Sequence, residues 1–186
     1  SICRCTLSAP STAELATSVA SQYEALLGDT RTLLRAIGSI PADDLVLVQC
    51  DAALAALARQ SPAYDNLIVF AADGTIVCSA RPGAVAVDPK TTDWFQTALA
   101  TGGFVGLEAG SSDPGTHPVT IAIADEDANG TPFVVSAQIA LGGLNALVEN
   151  ARTSEDASVA LVDEQDTLLF QVPDPGELVG TTVEDA

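Results

Sequence analysis

Apolar positions along the chain recur at two different periods, and the places where the period changes mark the elements. Val19, Tyr23, Leu26, Thr30, Leu33 and Ile37 fall four, three, four, three and four apart, on one stripe of a long helix ending near Gly38. Ser11-Thr12-Ala13-Glu14 after Pro10 has the form of a capping box and predicts where that helix starts. The stripe suits either of two partners: a second copy, as a coiled-coil-like seam, or the domain's own sheet. Beyond the turn at Pro41, residues 42–60 read as a second helix, with Leu45, Val48, Leu54 and Leu57 apolar and Ser61-Pro62 stopping it.

The pattern then shortens to strand length. Asn66 to Ala72 and Thr75 to Ala80 flank the turn at Asp73-Gly74 and predict an antiparallel hairpin. The segment Leu67 to Ala80, LIVFAADGTIVCSA, is echoed by Val159 to Val172, VALVDEQDTLLFQV, so a second hairpin is expected there. Between the two copies, Thr92-Asp93 can start a short helix that carries the single Trp and stops at Gly102-Gly103. Phe104 to Glu108 is a strand candidate, and 109–116 reads as a Gly/Ser/Asp/Pro loop. Pro118 to Ala124 and Pro132 to Ile139 form a further hairpin around 125–130, and Leu141 to Ala151 reads as a helix. Only 14 residues follow Val172, too few for another complete sheet. The chain does not begin with Met, and the reading is of a piece whose targeting or anchoring segments lie outside it.

Charge narrows the partners. Asp and Glu number 25 against seven Lys and Arg, a net charge of -18, so nucleic acid and anionic membrane surfaces are excluded as natural partners and cations are attracted. A salt-adapted surface explains the same balance without any ligand. No apolar run approaches the ~18 residues of a membrane span. The four cysteines, Cys3, Cys5, Cys50 and Cys78, lack zinc-site spacing. A helix-to-strand disulfide between Cys50 and Cys78 is favoured over two buried thiols, and implies an oxidising compartment.

Catalytic and metal signals are weak. Asp125, Asp127, Asn129 and Gly130 match the first half of a calcium loop, but Ser136 stands where the bidentate Glu belongs, so a solvated turn is preferred. Ser111 or Ser112, His117 and Asp113 supply the residue types of a hydrolytic triad without a strand-Ser-helix elbow. No phosphate-binding glycine loop occurs, and no cofactor is expected.

The segments YDNLIVFAADGTIVCSA, TDWFQTALATGGFVG, PVTIAIADEDANGTPFVVSAQIAL and ASVALVDEQDTLLF stand in the order long helix, helix, hairpin, Trp helix, three strands, helix, hairpin. That order resembles an extracytoplasmic Cache sensor domain, a PAS-like module often found in tandem. The resemblance implies an α+β fold: a long N-terminal helix packed on a PAS-like antiparallel sheet, with a truncated or degenerate second PAS-like module. It divides the chain into a signalling and dimerisation helix at 1–40, a membrane-distal module at 41–151, and the start of a membrane-proximal module or connector at 152–186. Cys50 and Cys78 also resemble a helix-to-strand pair in periplasmic Cache domains of bacterial sensor kinases.

Such domains are non-catalytic, lie outside the membrane between transmembrane helices, bind a small solute and signal to a cytoplasmic histidine kinase, cyclase or chemotaxis module; a homodimer through the first helix is expected here. By position, the pocket is expected to involve Asp93, Trp94 and Phe95, with Cys78, Ser79, Gly106, His117, Thr120 and Ser136 nearby. The amino-acid-binding subgroup carries an Arg just before its Trp-aromatic pair, whereas Thr92-Asp93 precede Trp94-Phe95 here. An amine-bearing, cationic or neutral solute is therefore expected over an amino-acid carboxylate. The alternative is an interaction or adhesion domain in which the same sheet is only a scaffold.

Overall fold

The computed structural model describes residues 4–7, 13–40, 49–61, 63–83, 88–107, 119–127, 129–139, 159–162 and 168–172. In chain order they form β1 (Arg4–Leu7), α1 (Ala13–Gly38), α2 (Cys50–Gln60), β2 (Tyr64–Ala71), β3 (Ile76–Ser79), a 3-10 turn (Pro89–Thr91), α3 (Asp93–Thr101), β4 (Gly103–Leu107), β5 (Val119–Glu126), β6 (Pro132–Ile139), β7 (Val159–Val162) and β8 (Leu168–Val172). Five strands make an antiparallel sheet in the order β3-β2-β6-β5-β4, and three make a smaller one in the order β1-β7-β8. This is the α+β, PAS-like arrangement that the element order predicts.

Both faces of the larger sheet are covered, which explains why its strands read as nearly unbroken apolar runs rather than as alternating ones. On one face lie Leu67, Val69, Val119, Ile121, Ile123, Val135, Ala137 and Ile139, packed with Tyr23, Leu27, Leu34 and Ile37 of α1 and Leu54 of α2. On the other, Ile68, Phe70, Ala122 and Val134 receive Trp94, Phe95 and Ala98 of α3. The two sets differ by one residue along each strand, as the two-residue period of a pleated strand requires.

The stripe on α1 finds its partner within the chain. Tyr23, Thr30 and Ile37 are buried against the sheet, and Leu26 and Leu33 are half-buried at the same contact. Thr30, the one polar member, is satisfied there: its hydroxyl donates to the Leu26 carbonyl at 2.7 Å and lies 3.1 Å from the Tyr64 hydroxyl. A threonine that interrupts an apolar stripe is thus part of a buried hydrogen-bonded pair.

The first hairpin is closed by its own turn chemistry. Ala71 N–H donates to Thr75 O, Gly74 N–H to Ala71 O, and Thr75 N–H to Asp73 Oδ1. Gly74 has φ +79°, and a Cβ there would come within 2.8 Å of Lys90 Cγ, so only glycine fits. Gly102, at φ 82°, ends α3 in the left-handed conformation expected of a helix stop.

Some expectations need adjusting. The described part of the second helix begins at Cys50, after Gln49 in a left-handed conformation. Strand β1 has no counterpart in the sequence reading; it pairs with β7 from Arg4↔Val162 to Leu7↔Val159, so the predicted echo hairpin β7-β8 gains a third strand from the chain's beginning. The capping side chains at Ser11 and Glu14, the loop at 109–116 and the helix at 141–151 lie outside the described residues. Among the described residues, no helix is long and apolar enough to cross a membrane.

Candidate ligand-binding site

The face of the sheet under α3 changes character from one end to the other, and the strand register makes the gradient explicit. The first row across the strands is Ile76, Phe70, Val134 and Ala124. The second is Ser79, Ile68, Ser136, Ala122 and Phe104. The third is Asn66, Gln138, Thr120 and Gly106. Aromatic and aliphatic residues fill the first row, and amide and hydroxyl side chains dominate the third.

Helix α3 holds the apolar end. Phe70 meets Trp94 and Phe95 edge-on, with ring centroids 5.9 Å and 5.7 Å apart, and the two rings of α3 meet each other at 5.6 Å. Edge-to-face pairs of this kind contribute about 0.5–1.5 kcal/mol each beyond the area they bury. The helix itself begins where Pro89–Thr91 makes a 3-10 turn and Thr92 takes an extended conformation. The Thr92 hydroxyl donates back to the Pro89 carbonyl at 2.6 Å rather than capping α3.

At the polar end the buried groups are Asn66, Ser79, Thr120 and Ser136, none more than 2% exposed. Asn66 stands on this face in unbroken register with Ile68 and Phe70, and β2 carries an irregularity just before it, between Tyr64 and Asn66. Such a bulge re-aims side chains: Tyr64 joins the α1 side, while Asn66 keeps phase with Ile68 and Phe70. Its Oδ1 accepts from Arg81 N–H at 3.0 Å and from the Ser79 hydroxyl at 3.3 Å, and Arg81 N–H also reaches Ser79 Oγ at 3.2 Å. A backbone N–H can only donate, so the amide orientation is fixed and Nδ2 occupies the other arm.

Among the described residues that arm has no partner. Asn66 Nδ2 and Trp94 Nε1 are both buried donors without an acceptor. An unsatisfied buried donor costs about 1–3 kcal/mol, and such a group in a folded protein calls for an explanation. Here two of them lie on the α3 side of the sheet, Trp94 on the helix at the apolar end and Asn66 on β2 at the polar end.

The edge that orients Asn66 is itself anchored. Cys50 of α2 and Cys78 of β3 form the expected disulfide, with Cα atoms 5.8 Å apart. In the next residue of each element, Asp51 Oδ1 accepts from Ser79 N–H at 2.7 Å. Arg81 and Asp65 form an ion pair on the surface beside them. The bridge, the Asp51 contact and the Ser79 hydroxyl thus form one chain of restraints ending at the Asn66 amide.

The predicted site residues divide as follows. Trp94, Phe95, Ser79, Thr120 and Ser136 share the α3 face and are buried, and Gly106 lies on β4 opposite Thr120. Cys78 is on the opposite face, in the bridge. Asp93 is exposed at the start of α3, and His117 lies outside the described residues. Asn66, Gln138 and the anchoring Asp51 escaped the sequence reading. The available signal was one amide heading an apolar run, DNLIVFA, in phase with Phe70.

Asp125, Asp127 and Asn129 serve the β5-β6 turn. Asp127 Oδ1 accepts from the N–H groups of Asn129 and Thr131 at 2.8 Å each, and these bonds, Thr131 first, hold its carboxyl below the usual value. Among the described residues no group of three or more His, Cys, Asp or Glu side chains is placed to hold a metal ion.

No family model and no curated protein matches the chain. Solved structures do. The extracellular domain of a protein assigned as a histidine kinase, rpHK1S-Z16, superposes with a TM-score of 0.64 at 16% identity over 87% of this chain and 69% of that one. The ligand-binding domain of the Pseudomonas aeruginosa amino acid chemoreceptor PctC, solved with GABA, gives 0.63 at 22% identity over 92% and 78%. That of the Campylobacter jejuni chemoreceptor Tlp3, solved with 4-methylisoleucine, gives 0.61 at 19% over 84% and 65%, so the chain spans just under two thirds of that domain. The chain therefore has the fold of extracellular, PAS-like, Cache-type ligand-binding sensor domains.

Proposed function

We propose that this chain is a non-catalytic, extracytoplasmic sensor domain that binds a small polar solute on the α3 face and signals through the membrane to a histidine kinase or similar cytoplasmic module. The observation that carries the reading is the pair of buried, unpartnered donors, Asn66 Nδ2 and Trp94 Nε1, on one face of the sheet. A bound solute satisfies what the protein leaves open. The fold shared with extracellular ligand-binding domains supports it, as does the Cys50–Cys78 bridge, which suits an oxidising compartment.

The site favours an amine-bearing or neutral solute over one held by its carboxylate. The buried polar residues described on this face are an amide and hydroxyls, while Arg81 and Lys90 are exposed and Asp93 stands at the surface end of α3. A buried carboxylate without a cation beside it is strongly disfavoured. Homodimerisation, also part of the reading, would use parts of α1 other than the Tyr23–Ile37 stripe, which its own sheet occupies.

A second reading, as an interaction domain, has one observation in its favour: Ile76 and Val77 are 41% and 43% exposed on edge strand β3. A thermal-shift screen of amines, amino acids, amino-acid amides and small alcohols separates the two. A solute at a hundred times its Kd raises the melting temperature by roughly 5–10 °C for a chain of this size. No shift from any compound would favour the interaction domain.

A further inference from the structure

We infer that Asn66 is the specificity-determining donor of the site, and that it selects a solute carrying a neutral oxygen acceptor: the carbonyl of a carboxamide, ester or ketone. The inference rests on the sensor reading above and narrows its ligand. An Asn side chain offers two donors and an acceptor with two lone pairs. Both lone pairs of Asn66 Oδ1 are taken, by Arg81 N–H and the Ser79 hydroxyl. The Ser79 hydroxyl gives its only proton to Asn66, so Asn66 Oδ1 has no lone pair left to accept from a solute and Ser79 has no proton left to donate. What remains is Nδ2, fully buried and unpaired. It can recognise only an acceptor.

The polarity of that acceptor follows from the surroundings. The described side chains beside Asn66 in register are Gln138 and Thr120 in its own row, and Ile68, Ser79 and Ser136 in the next. None carries a positive charge. Arg81 lends only its backbone N–H, because its guanidinium is engaged with Asp65 at the surface. A carbonyl oxygen gains a hydrogen bond from Nδ2 at small desolvation cost, whereas a carboxylate would surrender its hydration without a counter-ion.

Sequence would not distinguish this Asn from one that merely ends a strand. The distinction lies in its burial and in the restraints behind it. Cys50–Cys78 and Asp51 hold β3, Ser79 and Arg81 hold Oδ1, and the free arm is thereby fixed before any ligand arrives. Such preorganisation is what a discriminating site requires, because a buried donor rejects solutes that fail to pair with it.

Two matched sets of probes test this by isothermal titration calorimetry: 4-aminobutanamide, butylamine and 4-aminobutanoate, and serinamide, ethanolamine and serine. The amide is expected to bind about tenfold more tightly than the amine lacking the carbonyl, the size of one well-formed hydrogen bond. Asn66→Asp keeps the acceptor for Arg81 and Ser79 but replaces the donor by an oxygen. It should abolish or invert the preference while leaving the circular dichroism spectrum unchanged. Should that variant fail to fold, the side-chain NH2 resonances of Asn66 in the wild-type protein decide: they move on adding the amide. Unmoved resonances, equal binding of amide and amine, or an unaltered preference in Asn66→Asp would each overturn the inference. Failure of every probe in both sets, together with a flat thermal-shift screen, instead removes the sensor reading and this inference with it.

Discussion

The two faces of the five-stranded sheet are buried to a similar degree and finished in opposite ways. Under α1 and α2, the contact is mostly aliphatic with Tyr23 buried in it, and the Thr30 hydroxyl is paired with the Leu26 carbonyl and Tyr64. Under α3, an aromatic cluster occupies one end and the other end holds amide and hydroxyl groups, with Trp94 Nε1 at the first and Asn66 Nδ2 at the second left without an acceptor among the described residues. Burial alone does not tell a structural face from a binding face. The concentration of buried polar side chains does, because Asn66, Ser79, Thr120 and Ser136 share the α3 face and the Asn66 amide there keeps a donor that calls for a partner.

The contrast predicts that damage to the two faces separates in its consequences. Truncations at fully buried sites on either side are the most disruptive. Phe95→Ala should cost about 3–5 kcal/mol and Leu34→Ala about 2–5 kcal/mol in denaturant unfolding. Only Phe95→Ala should also weaken the response to solute, since α3 rests on that ring. Equal loss of binding in Leu34→Ala would break the division between the faces.

The disulfide comes next and bears on both. It closes a loop between residues 28 apart, for which chain-entropy arguments give about 3.5 kcal/mol. A Cys50→Ala/Cys78→Ala variant should therefore unfold at clearly lower denaturant. Because Ser79 follows the bridge directly, affinity for the solute should also fall severalfold. Loss of stability with full affinity would cut the link between the bridge and Asn66.

The smallest effect belongs to the hairpin turns, away from both faces. Bonds from Thr75 to Asp73, and from Thr131 and Asn129 to Asp127, hold both carboxyls below their ordinary value. A depressed folded-state pKa stabilises the protein above the unfolded value near ~3.9, and that contribution disappears as pH falls through the folded value. Asp73→Asn/Asp127→Asn should lower the melting temperature slightly at pH 6, and the difference from wild type should close towards pH 3. A difference independent of pH would remove the carboxylates from the account. Binding should be unaffected throughout.

Much of this was legible in the sequence because it is local. The period of α1, the Asp73-Gly74 turn, the Trp helix with its Gly102 stop and the β5-β6 hairpin each declare themselves within a dozen residues. Strand β1 does not, since Arg4–Leu7 acquires meaning only through pairing with residues more than 150 positions away. The choice of partner for α1 was equally hidden, because one apolar stripe serves a second copy or a sheet alike. Asn66 was missed for a third reason: an amide near the start of a strand reads as an ordinary polar end, and its burial and the hydrogen bonds that fix it come from β3 and Arg81 after it. Ser79 was noticed as a site residue, but its hydroxyl is spent on orienting Asn66.

The claim that the α3 face is the binding face is tested most directly by the single tryptophan, whose indole N–H gives one resolvable resonance. In a proton-nitrogen correlation spectrum titrated with a solute that raises the melting temperature, the Trp94 indole and the backbone amides of Asn66, Thr120 and Ser136 should move together. The amides of Leu34, Leu54 and Val69 should stay in place. Binding that leaves the indole unmoved and shifts the α1 and α2 face would contradict the account.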